Sequence, residues 1–368
     1  MYNPNDLIAF TGGGTAGHVY PGLAVAEELK IRGHLHFLWV GAQGGMEESL
    51  VKTWGMDFLG LPAGKLRRYF SFKNFLDLFK ITAGFIKALW VLSRTRPVLL
   101  FSKGGFVSVP PVWAAKILGI PVFSQESDLD PGLATKLNMG KSTRIYTAYD
   151  KTMEYFPLHL QTRIKALGNP VRRELLQGKG TQARETWKIP PNSLLVLVLG
   201  GSQGAKQINS LVTQALPQFK DKIFWVHQTG PEALHPQESA YYHPRIFLKQ
   251  ELPDLMAGAD LIISRAGAGA LWEASALGKA LLLVPLGEGS RGDQLRNAAL
   301  FENRGAAVIW KESTGQVGFE NLLRDLLDHP EKRDQLSREI SRFGAGTAAK
   351  RLADEVVEFL SIPESPHV

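Results

Sequence analysis

The sequence predicts an α/β protein made of two doubly wound, Rossmann-like halves facing a central cleft. Three observations carry that expectation. The chain opens with an apolar run, Leu7–Phe10, that feeds a glycine-rich loop, Thr11-Gly12-Gly13-Gly14-Thr15-Ala16-Gly17-His18, and then a helical pattern from Val19 to Leu29. The same succession returns at Ser193–Leu199, which feeds Gly200-Gly201-Ser202-Gln203-Gly204-Ala205 and a second helix. Finally, 368 residues exceed what a single core of ordinary size takes up.

Between these landmarks, strand and helix signals alternate, as a parallel sheet with helical crossovers requires. Strands are expected at 36–41, 57–61, Val98–Phe101 and Pro121–Ser124 in the first half. Helices are expected through Met46–Lys52 and over 72–93, with another carrying Pro110-Pro111 in its first turns. Around 157–172 the rhythm breaks at Gly168-Asn169-Pro170-Val171-Arg172, a turn and hinge signal. The second half continues with strands at Ile223–Val226, Asp260–Ser264, Ala280–Val284 and Ala306–Ile309. The expected domains are 1-165 and 166-346, with a helix over 347–362 crossing back onto the first.

A glycine loop between strand and helix leaves backbone N–H groups at the positive end of the helix dipole, a place for an anion. Gly12, Gly14 and Gly17 also satisfy G-x-G-x-x-G. A dinucleotide site needs an acid at the end of the next strand for the ribose, however, and the first acid beyond that strand is Glu47. A phosphate or pyrophosphate loop of another kind and a plain tight turn remain as readings. The loop Gly104-Gly105-Phe106 also falls at the carboxyl end of a strand, where ligands of such sheets sit.

Other constellations carry two readings each. Ser264-Arg265-Ala266-Gly267-Ala268-Gly269-Ala270-Leu271-Trp272-Glu273 lets a ligand approach a helix start. Glu273 there suits a ribose diol, or is simply an acid favourably placed near the dipole. Asp293 and Gln294 suit hydroxyl recognition or helix capping. Asp128-Leu129-Asp130 has the D-x-D spacing of a metal–diphosphate site, yet precedes Pro131-Gly132 and fits a turn.

The formal charge of +7 is concentrated: Lys65 to Arg96 holds eight basic residues against Asp77. Arg67, Arg68, Lys73 and Lys80 alternate with Phe72, Phe75, Phe79 and other aromatics, which suits an anionic membrane surface. Single-stranded nucleic acid and a plain solvated face are the competing readings. The absence of cysteine excludes disulfides, thiolate nucleophiles and cysteine zinc sites. No leader pattern and no apolar run of spanning length is present, so a soluble or membrane-surface protein is expected.

Taken in order, GGGTAGHVYPGLAVAEEL, KGGFVSVPP, ESDLDPGLA, GNPVR, GGSQGA with Asn209 following, SRAGAGALWE and GDQLRNA resemble one family over nearly the whole chain. It is the bacterial peptidoglycan glycosyltransferases that act on lipid I, of the two-domain GT-B fold. The resemblance implies inverting transfer of N-acetylglucosamine from UDP-GlcNAc to the muramyl 4-hydroxyl of lipid I, giving lipid II, with no metal or other cofactor. It implies a peripheral protein on the anionic cytoplasmic face of the cell membrane, with cell-wall synthesis and division proteins as partners and no nucleic acid.

Carried over position by position, His18 is the family's candidate base, with Asp128 near the donor sugar as the carboxylate alternative. Thr15, Ala16 and Gly17 would line the sugar-nucleotide site. Arg172 and Ser202 would meet its diphosphate, Lys249 the uracil, Ala266 through Leu271 the nucleotide, Glu273 the ribose, and Gln294 the sugar or ribose. Gly13, Gly14, Gly104 and Gly105 would take the acceptor diphosphate. The chain departs from the family pattern at Phe106, where a Tyr is common, and at Asp128, where many members have Asn. Lys249 also stands where an apolar residue is usual. A transferase for another lipid acceptor and a UDP-GlcNAc epimerase are the rival expectations.

Overall fold

The computed structural model describes residue 3 and residues 6–64, 72–201, 204–220, 222–231, 237–287, 292–344 and 346–361, with backbone alone over 72–78. The chain divides into two compact units, Met1–Pro170 with Thr347–Val368, and Val171–Gly346.

In the first unit the described strands are β1 (Ile8–Thr11), β2 (Phe37–Ala42), β3 (Asp57–Leu61), β4 (Leu99–Ser102), β5 (Val122–Glu126), β6 (Arg144–Thr147) and β7 (Ile164–Ala166). They form one sheet in the order β3-β2-β1-β4-β5-β6-β7, parallel at each pairing. The period of two along β1 separates its faces. Ile8 and Phe10 join Trp39, Phe101, Phe123 and Tyr146 in one buried cluster, while Ala9 joins Val40, Leu100 and Val122 in another. Burial on both faces is why these strands read as continuous apolar runs.

The helix Ala348–Ser361 belongs to this first unit. It buries Leu352, Ala353 and Val356 in the β1 cluster. Its Glu355 accepts from Arg144 and Lys165, each at 2.7 Å, and from the Tyr146 hydroxyl at 3.1 Å. The guanidinium of Arg32, which follows the helix Tyr20–Ile31, reaches Asp354 at 2.5 Å.

The second unit contains β8 (Leu194–Leu199), β9 (Ile223–Gln228), β10 (Tyr242–Arg245), β11 (Leu261–Ser264), β12 (Leu281–Leu283) and β13 (Val308–Ile309). Their order is β10-β9-β8-β11-β12-β13, again parallel throughout. Each sheet therefore reverses direction of winding beside its first strand, between β1 and β4 and between β8 and β11. The carboxyl ends at such a switch are where a doubly wound sheet leaves a crevice.

Three strands escape the sequence pattern. β6 and β7 are short and carry polar residues. β10 contains Pro244, tolerated because the strand lies at the sheet edge. The units part after Pro170 and not at 165/166: β7 pairs with β6, and Asn169 is hydrogen-bonded to Gln125 and Ser127 of the first unit.

Candidate active site

At the β1–β4 switch, three loops converge. After Thr11, whose hydroxyl donates to the Val40 carbonyl at 2.8 Å, the chain enters the glycines. Only glycine fits there: a Cβ on Gly12 would lie 2.7 Å from the His18 carbonyl oxygen and 3.0 Å from Lys103 Cβ. One on Gly105, at φ +76°, would lie 2.9 Å from His18 Cδ2. The loop after β1 and the loop after β4 thus approach backbone to backbone.

The expectation that this loop offers its N–H groups freely is corrected at Gly14. Its N–H donates to Glu47 Oε2 at 3.1 Å, while Ala42 N–H donates to Glu47 Oε1 at 2.9 Å. Glu47 is fully buried beneath the loop, against Gly13 and Gly45. It fixes the loop to the end of β2 and places a carboxylate below it. Gly104 is buried, and its N–H points to Ser102 Oγ at 3.4 Å. The ring of Phe106 packs against Gly14.

Thr15 and Gly17 are exposed, and Ala16 is partly so, in a 3₁₀ turn that ends at His18 just before the helix Tyr20–Ile31. His18 is half-buried. Loss of hydration, reinforced by the Lys103 charge and opposed by Glu126, pushes its imidazole from 6.5 down to about 4. The ring is accordingly neutral near pH 7, the form that can accept a proton.

Lys103, which the motif analysis left without a role, is 2% exposed. Its stem passes beside Gly12 and Gly22, and its Nζ donates to Ser127 Oγ at 2.7 Å. Ser127 Oγ in turn donates to Asn169 Oδ1 at 2.6 Å. Burial pushes the ammonium down to about 7, with Glu126 and Asp128 acting the other way. Glu126 accepts from Ser127 N–H, Asp128 N–H, Gly132 N–H and the Thr135 hydroxyl, so it organises the turn after β5.

Asp128 is part-buried in that turn, and its carbonyl accepts from Thr152 at 3.5 Å. Asp130 faces away to Lys136, at 3.1 Å. Among the described residues no group of three or more His, Cys, Asp or Glu side chains is placed to share a metal ion.

In the second unit, Gly204 at the β8 loop packs on Thr229 and Gly230. Asn209, fully inside the helix Lys206–Phe219, donates to the Thr229 carbonyl at 2.9 Å and meets His227 Nε2 at 3.0 Å. His227 Nδ1 meets the Tyr242 hydroxyl at 3.1 Å, so the motif asparagine supports the loop from below.

At the β11 loop, Ala266, Ala268 and Leu271 are buried, while Gly267, Gly269 and Ala270 are partly open over the start of the helix Ala268–Ala276. Asn297 Nδ2 donates to the Ala266 carbonyl at 3.4 Å, holding the loop from the helix Asp293–Glu302. Glu273 and Arg172 meet at 3.2 Å, and Arg172 also meets Glu174 at 3.0 Å. Burial raises the Glu273 pKa against the lowering by Arg172. Gln294 Oε1 accepts from Leu286 N–H at 2.9 Å, and exposed Lys249 donates its N–H to Glu251 at 3.2 Å. The β11 loop and the Arg172–Glu273 pair come together in this unit.

Ser202, Arg67 and Arg68 lie outside the described residues, and of Phe72 and Phe75 only the backbone is described. Phe79 does stand exposed on the helix Phe72–Thr95, with Ile86 and Trp90, 60% and 54% exposed. The neighbouring helix Val109–Ile117 exposes Trp113 and Ile117. Arg94 caps the Trp90 ring at 4.5 Å, and Lys141 the Trp113 ring at 4.2 Å. No described helix is long and apolar enough to cross a membrane.

The residues that sequence reasoning missed had faint signals. Lys103 directly follows an apolar strand and precedes two glycines, which is an odd place for a solvated lysine. Glu47 was visible only as an acid in the wrong position for a ribose.

Two parallel doubly wound sheets, each with a glycine loop at its switch point, define a GT-B architecture. Residues 8–147 match the glycosyltransferase family 28 N-terminal domain and residues 195–356 its C-terminal domain. A UDP-N-acetylglucosamine–N-acetylmuramyl-(pentapeptide) pyrophosphoryl-undecaprenol N-acetylglucosamine transferase of Treponema denticola is 39% identical over 377 residues, covering 96% of each chain. The enzyme of the same name from Borreliella burgdorferi is 38% identical over 341 residues, covering 92% of each. The crystal structure of Acinetobacter baumannii MurG superimposes with a TM-score of 0.74 at 25% identity, covering 96% of this chain and 100% of that one. The chain belongs to glycosyltransferase family 28 and, within it, to the family of these N-acetylglucosamine transferases.

Proposed function

We propose that the protein transfers N-acetylglucosamine from UDP-GlcNAc to the muramyl 4-hydroxyl of lipid I, inverting the anomeric carbon and giving lipid II. The observation that carries this reading is a half-buried imidazole in the glycine loop after β1, beside the β1–β4 switch of a family 28 first unit. Inverting transfer needs a base for the attacking hydroxyl, and His18 has the form for it. It also needs stabilisation of the departing UDP. The β11 loop with the start of the Ala268–Ala276 helix, Arg172 beside it, and the β8 loop with Ser202 supply dipoles and charge without a metal. Glu273 takes the ribose diol once the nucleotide displaces it from Arg172, and Gln294 and Lys249 belong to the same donor site. Asp128 approaches the donor sugar. The acceptor diphosphate sits over Gly13, Gly104 and Gly105.

Phe79, Ile86 and Trp90 on one helix and Trp113 and Ile117 on the helix packed against it are exposed, with Arg94 over the Trp90 ring and Lys141 over the Trp113 ring, which supports docking at an anionic membrane surface where the lipid acceptor resides. The family resemblance adds to this reading the cytoplasmic face of the membrane and cell-wall synthesis and division proteins as partners.

The test is incubation with radiolabelled UDP-GlcNAc and a lipid I analogue, with and without EDTA. Label on the lipid in both conditions is expected. Label that stays on UDP, or sugar conversion that needs no acceptor, overturns the reading in favour of another acceptor or an epimerase.

A further inference from the structure

Gln228, the last residue of β9, engages the two ends of its amide with two different loops of the second unit. β9 lies between β8 and β10, with Gln228 opposite Leu199 on one side and Arg245 on the other. Just beyond Leu199, the Gly201 carbonyl accepts from Gln228 Nε2 at 3.0 Å. Just beyond Arg245, the Leu248 N–H donates to Gln228 Oε1, also at 3.0 Å. The side chain is 5% exposed, and an amide can donate at one end while accepting at the other, so one orientation satisfies both loops.

Each loop also has a support of its own. On the β8 side, Gly204 packs on Thr229, whose carbonyl is held by Asn209. On the β10 side, Thr229 N–H donates to the Arg245 carbonyl at 2.9 Å, and Gly230 N–H to the Ile246 carbonyl at 3.2 Å. What Gln228 adds is a strut from one loop to the other. Gly201 directly precedes Ser202, and Leu248 directly precedes Lys249. The family resemblance assigns Ser202 to the donor diphosphate and Lys249 to the uracil.

We propose that Gln228 is a positioning residue for the donor: it fixes the separation between the loop that meets the diphosphate and the segment that meets the uracil. The inference rests on the UDP-sugar site of the proposed function. A ligand that bridges two places gains from their fixed spacing, because binding of one group presents the other at high effective concentration. A ligand with only one of the groups gains nothing from it.

The experiment compares UDP and uridine binding, by NMR titration, to the intact protein and to Gln228→Leu, which keeps an apolar stem and removes both bonds. KM and kcat for UDP-GlcNAc are measured alongside. In Gln228→Leu the UDP dissociation constant should rise about tenfold, the effect of one net hydrogen bond, while that of uridine stays within about twofold. KM for UDP-GlcNAc should rise with it, and kcat should stay within about twofold. If Gln228→Leu fails to fold, Gln228→Glu keeps the acceptor for Leu248 and loses the donor to Gly201. Measured at high salt, where repulsion of UDP by the new carboxylate is screened, it should show the same split between UDP and uridine. Uridine weakened as much as UDP would mean that Gln228 merely supports one loop, and overturns the inference. UDP affinity unaltered in the variants overturns it as well. An intact protein that binds no UDP overturns the donor site of the proposed function, and this inference with it.

Discussion

The Arg172 guanidinium and the Glu273 carboxylate face each other at 3.2 Å in the second unit. The family resemblance assigns them to different parts of one donor, diphosphate and ribose, and here they pair with each other. A charge-neutral pair of this kind keeps two partly buried ions satisfied until a nucleotide supplies better partners.

Glu273→Gln should therefore act on donor binding. Loss of one charge-assisted hydrogen bond to the ribose is worth about 1.5–3 kcal/mol, a rise in the UDP-GlcNAc dissociation constant of about ten- to a hundredfold. Calorimetric titration with UDP checks it. A variant with unaltered UDP affinity and reduced kcat would contradict the ribose assignment.

His18→Gln should reduce kcat by about 10²–10⁴ and leave UDP affinity within a factor of two or so. The glutamine keeps hydrogen-bonding capacity without basicity, so single-turnover rates separate proton acceptance from simple orientation. Turnover close to that of the unaltered chain would remove His18 as the base.

Lys103 makes a prediction about stability. Its folded pKa of about 7 lies below the unfolded value of 10.5. Between those values the unfolded chain binds the extra proton, so stability rises with pH across the window, and below pH 7 the full cost of a buried charge persists. Lys103→Met should stabilise the protein at pH 6 by on the order of 5 kcal/mol, since the displacement from 10.5 to about 7 costs about 1.4 kcal/mol per pH unit. The advantage should vanish by pH 10.5. Thermal melts at pH 6, 8 and 10 provide the comparison, and a constant difference across them would contradict the titration.

Trp90→Glu combined with Ile86→Glu should weaken binding to anionic phosphatidylglycerol vesicles by about tenfold or more, since each change removes an exposed apolar side chain and adds a repelled charge. Activity on a short-chain soluble acceptor should persist. Vesicle sedimentation unaffected by both changes would return that face to an ordinary solvated one.

Most of the fold was legible because parallel strands buried on both faces are written as uninterrupted apolar runs, as in Leu194–Leu199 and Leu99–Ser102. β10 was not, because Pro244 sits on an edge where a missing donor costs nothing, and β7 was too short to show a period. In the candidate site, the loops were visible as glycine motifs, while their supports were not. Glu47 reaches back 33 residues to Gly14 and Asn209 reaches forward 20 to Thr229, separations set by crossover connections and carrying no local signature. Lys103 illustrates the same limit. That a lysine is buried depends on two glycines, one of them 91 residues upstream, making room for it.

The placement of Glu355 has a consequence for synthesis. A ribosome delivers β1 to β7 early, but the helix that covers Phe10, Phe123 and Tyr146 emerges only after the whole second unit has been made. Until then the first sheet carries an uncovered apolar face, and Arg144 and Lys165 lack the carboxylate of Glu355 that neutralises them. The nascent first unit is thus the aggregation-prone stage of this protein's life, and the second unit has the opportunity to fold before the first is closed.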